Sequence, residues 1–96
     1  MSVLVVWRTE LKKGNEEEGL SITQKIWEDM KKFNGYLSHE ILLHEDDKGH
    51  ILVVGEWTDR EVADRIKTEY ADSENVKLIT PLLRSPRQRW VFDKVD

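Results

Sequence analysis

Residues 34–61 read NGYLSHEILLHEDDKGHILVVGEWTDRE, and the reading of this stretch decides the fold. Asn34-Gly35 ends a helix, because glycine takes the left-handed C-cap conformation without a steric cost. Residues 37–45 form a strand, and residues 50–57 form the return strand. Asp46-Asp47-Lys48-Gly49 between them supply the Asx chemistry and the glycine of a turn. Thr58 and Glu61 have the T-x-x-E spacing of a capping box, which opens the next helix. A turn over residues 46–49 sets Glu45 against His50 and predicts the pairs Leu43/Leu52, Ile41/Val54 and His39/Glu56. Leu37, His39, Ile41, Leu43, Leu52, Val54 and Glu56 then share one face. Ser38, Glu40, Leu42, His44, Ile51, Val53, Gly55 and Trp57 share the other. Both faces carry aliphatic residues, whereas a sheet wetted on one side alternates cleanly. Each face is therefore expected to be covered.

Working outward, residues 3–11 (VLVVWRTEL) are β-branched and aromatic and form the first strand, with Val3, Val5, Trp7, Thr9 and Leu11 on one face. Residues 16–33 form the first helix. Glu16, Glu17 and Glu18 suit the positive end of its dipole, and Leu20, Ile22, Ile26, Trp27, Met30 and Phe33 follow a helical period. The second helix begins after Thr58 and carries Val62, Ile66 and Tyr70 at i, i+4 and i+8. Asp72-Ser73-Glu74-Asn75 reads as a break and a fresh N-cap. A further helical piece with Val76, Ile79, Leu82 and Leu83 is kinked or ended near Thr80, because Pro81 lacks the N–H that a helix needs. Residues 88–95, centred on Trp90, Val91 and Phe92, form the last strand.

The order is β-α-β-β-α-β, the ferredoxin-like α+β pattern: an antiparallel sheet with both helices on one face and right-handed crossovers. Residues 1–96 are read as a single domain. Two helices can cover only one side of the sheet. A second copy of the chain is the simplest cover for the other, so a homodimer is expected.

Composition excludes several functions. A net charge of −4 and a pI near 5.4 leave no basic footprint for nucleic acid. The chain has no cysteine, so disulfides, thiolate catalysis and cysteine-ligated metals are excluded. The apolar run at the N-terminus extends only from Val3 to Trp7, too short for a signal peptide or a membrane span, and a cytoplasmic protein without a membrane partner is expected. Four tryptophans are many for this length, and their large flat surfaces serve cores, pockets and interfaces alike.

Several side chains are candidates for chemistry. In the predicted register Glu40 faces Gly55, beside Trp57, Leu42 and Val53. A carboxylate there is desolvated and its pKa raised, as a general base requires; the alternative is a solvated edge position. His39 would pair with Glu56 as a proton relay or as a satisfied polar pair. His44 and His50 fall on opposite faces, so no metal site is expected. Arg84, Arg87 and Arg89 form a basic cluster, read either as a solvated loop or as an anchor for an anionic substrate group or a partner subunit.

The run Gly35-Tyr36-Leu37-Ser38-His39-Glu40, then Asp46-Asp47, then Glu56-Trp57-Thr58-Asp59-Arg60-Glu61 resembles the antibiotic biosynthesis monooxygenase family. Its members show P-G-x-x-S-x-E, an Asp-rich turn, and a Glu ahead of a Trp followed by an acidic helix start. The resemblance implies a dimeric α+β barrel, in which two sheets pack face to face, and a pocket between sheet and helices. Some members oxidise phenols or quinols with O₂ and no bound cofactor. A related branch degrades haem, and others have no established activity. The resemblance implies a pocket containing Trp57, which matches the motif tryptophan, together with Trp7 and Val53; Gly55, which has no side chain, is expected to supply room for a ligand there. Trp7 falls at or near the position of an asparagine in the haem branch, and no histidine follows His50, so the haem ligand set is unmatched. Val53 stands where a quinol-oxidising type carries an asparagine. The expected function is a cofactor-independent monooxygenase acting on a small phenol or quinol. The alternative is a non-catalytic dimeric module that binds a small ligand or has an accessory role, and a haem-degrading monooxygenase is a third reading.

Overall fold

Gly35 has a φ of +98°, and this left-handed residue turns the chain into the central hairpin; the first helix ends earlier than the predicted residue 33, at Met30, and is capped by Lys31 rather than by Gly35. A computed structural model describes residues 2–95. The elements are β1 (Val3–Glu10), α1 (Glu16–Met30), β2 (Tyr36–Leu43), β3 (His50–Trp57), α2 (Arg60–Tyr70), α3 (Glu74–Ile79), a 3₁₀ turn (Thr80–Leu82) and β4 (Gln88–Asp93). The sheet order is β2-β3-β1-β4, and every neighbouring pair is antiparallel. This is the ferredoxin-like α+β fold, with a short third helix added. Pro81 sits in the 3₁₀ turn and ends that helix as expected. Among the described residues no helix is long and apolar enough to cross a membrane.

Helix starts follow local chemistry. The Asp59 carboxylate accepts the Val62 N–H at 2.9 Å and the Ser73 hydroxyl accepts the Val76 N–H at 3.3 Å. The α2 cap is thus Asp59 and not Thr58, so the predicted T-x-x-E box lies one residue too early. A carboxylate at the cap also complements the helix dipole, which a hydroxyl does not.

The hairpin register differs from the prediction by one residue. His39 pairs with Gly55, Glu40 with Val54, Ile41 with Val53 and Leu42 with Leu52. The turn spans residues 45–49 and is closed by the His44 N–H donating to the His50 carbonyl at 3.0 Å. Its form is set partly from outside the hairpin. The Leu11 N–H donates to the Gly49 carbonyl at 2.8 Å, while Asp47 accepts the Gly49 N–H at 3.0 Å and the His50 N–H on its carbonyl at 2.9 Å. Local turn rules cannot see the contact from the end of β1. Because side chains alternate with period two, this single slip exchanges the faces of β2 relative to β3. A bulge between Tyr36 and Ser38 then brings Tyr36 opposite Trp57.

Within β1 and β3 the predicted alternation holds, whereas the bulge interrupts it at the start of β2. Val3, Val5, Thr9 and Leu11 of the first strand and Ile51, Val53 and Trp57 of β3 are buried beneath the helices. Ile22, Ile26, Trp27 and Met30 of α1, Ala63 and Ile66 of α2, and Ile79 of α3 meet them in one core. The opposite face has no such cover: Leu42, Trp90 and Phe92 are 43 %, 42 % and 54 % exposed.

Arg84 closes one end of the sheet. Its Nη2 donates to Glu10 at 2.9 Å and to Asp47 at 3.2 Å, and the Ser85 hydroxyl donates to Glu10 at 3.0 Å. These hydrogen bonds, Arg84 first in each case, hold both carboxyls below their ordinary pKa values. Arg84 therefore serves the framework and separates from Arg87 and Arg89, with which the sequence groups it.

Candidate functional site

Where the helices do not close fully on the sheet, a cavity of about 160 Å³ remains. Trp7, Val53 and Trp57 rise into it from the sheet, Trp27 and Met30 from α1, and Ile66 and Tyr70 from α2. Lys67 and Ala71 on its border are exposed, so it opens towards solvent there. Its lining is mostly apolar and aromatic, with a few polar groups, as in ligand sites generally.

One wall is an aromatic cluster built on a glycine. Gly55 has no side chain, and the outer edge of the Trp27 ring fills that space: a methyl group at Gly55 would lie 2.5 Å from Trp27 Cη2. The Trp27 ring centre lies 6.3 Å from that of Trp57 and 5.3 Å from that of His39. Tyr36 meets Trp57 edge-on at 5.8 Å. Gly55 was expected to supply room for a ligand. It supplies room for Trp27, and the ligand-sized space lies further along the sheet.

The predicted site residues separate accordingly. Trp57, Trp7 and Val53 line the cavity. Gly55 stands behind the Trp27 ring. Glu40 is exposed on the opposite face, across from Val54, because the longer turn shifts the register. The desolvated setting expected for it is not where its carboxylate lies. His39 takes the position opposite Gly55, half-buried against Trp27. It does not pair with Glu56, whose carboxylate accepts instead from the Ser2 hydroxyl at 2.6 Å and from Lys94 at 3.4 Å. His39 Nδ1 is 2.6 Å from the Tyr36 hydroxyl. Burial, with Lys31 nearby, pushes the His39 pKa below its usual value, so the neutral ring is favoured and can accept that phenol's hydrogen. His44 and His50 lie on the same face, not on opposite ones, with rings stacked 5.2 Å apart. Arg8 donates to His50 Nε2 at 3.1 Å, and no group of three metal-ligating side chains occurs among the described residues.

The cationic side of the cavity was only partly legible. Arg87 and Arg89 both lie over Trp7, with guanidinium carbons 5.1 and 5.8 Å from the ring centre. Arg89 donates from Nη2 to Asp64 of α2 at 2.9 Å, and this bond lowers the Asp64 pKa. Its Nε is buried with no hydrogen-bond partner. Arg87 has no ion-pair partner among the described residues, and burial pushes its pKa down. The signal lay in the alternation R-x-R-x-V at Arg87, Arg89 and Val91, which puts Arg89 on the inner face of β4 and Arg87, one residue before the strand, on the same cavity. Trp27, placed by the sequence only on the apolar period of the first helix, is both core and cavity wall. Tyr70 was read as helix periodicity alone. It donates to Asp29 at 2.8 Å, and burial raises its pKa.

Fold and cavity define a ferredoxin-like domain with a mostly apolar cavity between its sheet and its helices. The chain belongs to the antibiotic biosynthesis monooxygenase family, whose model matches residues 2–69. Comparison with curated proteins finds no match. Among solved structures, one described as an antibiotic biosynthesis monooxygenase superposes with a TM-score of 0.85 at 20 % identity, covering 98 % of this chain and 99 % of the other. SnoaB, a cofactor-independent oxygenase from Streptomyces nogalater, gives 0.85 at 17 % identity, with 99 % and 94 % covered. Rv0793 from Mycobacterium tuberculosis gives 0.85 at 14 % identity, with 100 % and 97 % covered. At these identities the likeness establishes the shared fold.

Proposed function

We propose that the protein is a cofactor-independent monooxygenase of small phenols. The observation that carries this reading is the cavity itself: aromatic walls with an excess of positive charge along one side. The SnoaB fold, which supports a cofactor-independent oxygenase, is consistent with it. Arg87 and Arg89 favour the phenolate over the neutral phenol, since a cation near an ionisable group stabilises its anionic form. The phenolate passes one electron to O₂. The radical pair then couples at the open para carbon to give a hydroperoxide. Loss of water, with the ring hydrogen as one of its protons, leaves the quinone. For 3-methylphenol the balance is C₇H₈O + O₂ → C₇H₆O₂ + H₂O, and no external reductant is required.

The test is an oxygen electrode with 3-methylphenol and detection of methyl-1,4-benzoquinone. One O₂ consumed per quinone, without hydrogen peroxide, is the expected result. Among the described residues the cavity lining contains no carboxylate or imidazole. That observation favours the second reading, a binding module. Saturable binding of the phenol with no O₂ uptake would establish the module and end the enzyme reading.

We also propose that the uncovered sheet face pairs with a second copy. Val6, Leu42, Leu52, Val54, Trp90 and Phe92 make it apolar, three of them well exposed. An obligate interface of this kind buries roughly 2,000 Å² or more. Light scattering after size exclusion is expected to give twice 11.4 kDa at micromolar concentration. Trp90→Glu with Phe92→Glu is expected to give a folded monomer. A wild-type monomer would refute the pairing.

A further inference from the structure

We infer that the cavity binds a single-ring aromatic carboxylate, with the ring between Trp7 and Trp57 and the carboxylate on Arg87 and on the free Nε–H of Arg89. This rests on the small-aromatic reading above and narrows it to one ligand class.

Three independent observations carry the inference. The first is an unsatisfied donor. Buried N–H groups almost always have partners, and one left without is costly. Arg89 Nε is buried and lacks one, although Nη2 of the same side chain is bonded to Asp64. Arg89 lines the cavity, so a molecule inside it can supply the acceptor.

The second is charge. Arg87, Arg89 and Lys67 line the cavity, and among the described residues its lining holds no acidic side chain. The one carboxylate bonded to Arg89, Asp64, is also approached by Arg60 at 3.6 Å. A local positive excess therefore exists in a chain whose net charge is −4. A guanidinium presents its donors in a planar fork that fits a carboxylate, and each such bond is charge-assisted.

The third is size. A cavity of about 160 Å³ is close to the roughly 150 Å³ that accommodates benzene in an engineered apolar core. One ring fits between the tryptophans, and the carboxylate lies toward β4. Trp7 holds both guanidinium groups against its face, which limits their freedom before the ligand arrives.

Isothermal titration with 3-hydroxybenzoate and its neutral counterpart 3-hydroxybenzamide tests this. Wild-type protein is expected to bind the carboxylate about 10- to 100-fold more tightly, the range that hydrogen bonds to a charged group provide. Arg87→Met has no ion pair to lose among the described residues, and it is expected to weaken carboxylate binding more than amide binding, removing about tenfold of that preference. Arg89→Lys keeps a cation beside Asp64 but lacks the Nε–H, and it is expected to narrow the preference too. Equal affinities for the two ligands in wild-type protein, binding of neither, or a preference that survives both substitutions would overturn the inference. So would 2-naphthoate binding as tightly as the single-ring acid. Oxygen uptake is read separately. Tight carboxylate binding without O₂ consumption supports this inference and removes the monooxygenase reading. Oxidation of 3-methylphenol without any carboxylate preference does the reverse.

Discussion

Trp27→Ala is expected to lower the unfolding free energy by about 3–5 kcal/mol, the usual cost of deleting a large buried aromatic. Small domains are stable by only about 5–15 kcal/mol, so the variant should stand near the edge of folding at 25 °C. The ring is 5 % exposed, and its outer edge fills the gap over Gly55. It also touches the two side chains that flank that gap, Trp57 and His39. Helices cannot shift to close such a space, because α1 is fixed by Ile22, Ile26 and Met30 in the same core. The reciprocal change tests the same contact from the other side. Gly55→Ala puts a methyl group 2.5 Å from Trp27 Cη2 and is expected to cost about 1–3 kcal/mol by overpacking. Trp27→Phe lacks the outer atoms of the indole. The double variant Gly55→Ala with Trp27→Phe should therefore be more stable than the sum of its parts, since residues in contact couple. Urea midpoints for the four proteins at pH 7 give the cycle. A Gly55→Ala protein as stable as wild type, or strictly additive effects, would show that the ring is not seated over Gly55.

Trp7→Ala is expected to weaken binding of a phenolic ligand about tenfold or more, with a smaller loss of stability than at Trp27. Trp7 is half-buried and forms both a wall of the cavity and the platform on which Arg87 and Arg89 rest. Its removal takes away a stacking face worth about 0.5–1.5 kcal/mol. It also releases two guanidinium groups, each held by a contact worth about 0.5–1 kcal/mol. Trp7→Phe keeps a smaller ring and should retain part of the affinity. Calorimetric titration with 3-methylphenol, checked by circular dichroism for retained fold, reads the effect. Unchanged affinity in a folded Trp7→Ala protein would place the ligand elsewhere.

Much of this molecule was legible in the sequence because the signals are local. The order of elements follows from periodicity, from Gly35 and from Pro81, each acting on its own few residues. The faces of β1 and of β3 follow from alternation alone, and Trp7, Val53 and Trp57 accordingly share one face of the sheet. The motif around residues 35–61 carries the family, and the match over residues 2–69 extends it.

What the tertiary structure decided is what depends on two elements meeting. The hairpin turn is bonded to Leu11 at the end of β1, and that contact helps to set the register one residue away from the local expectation. One residue is enough to send Glu40 to the outer face and to bring His39 against Trp27, because strand side chains alternate with period two. The α2 cap moved by a residue because a carboxylate suits a helix start better than the hydroxyl before it. The division of the arginines was only partly legible: alternation relates Arg87 and Arg89, but it does not show that Arg84 is taken by Glu10 and Asp47 while the other two line the cavity. Sequence spacing gives a side chain its face on its own strand. It does not give the partner across the gap, and the chemistry of this site lies in those partners.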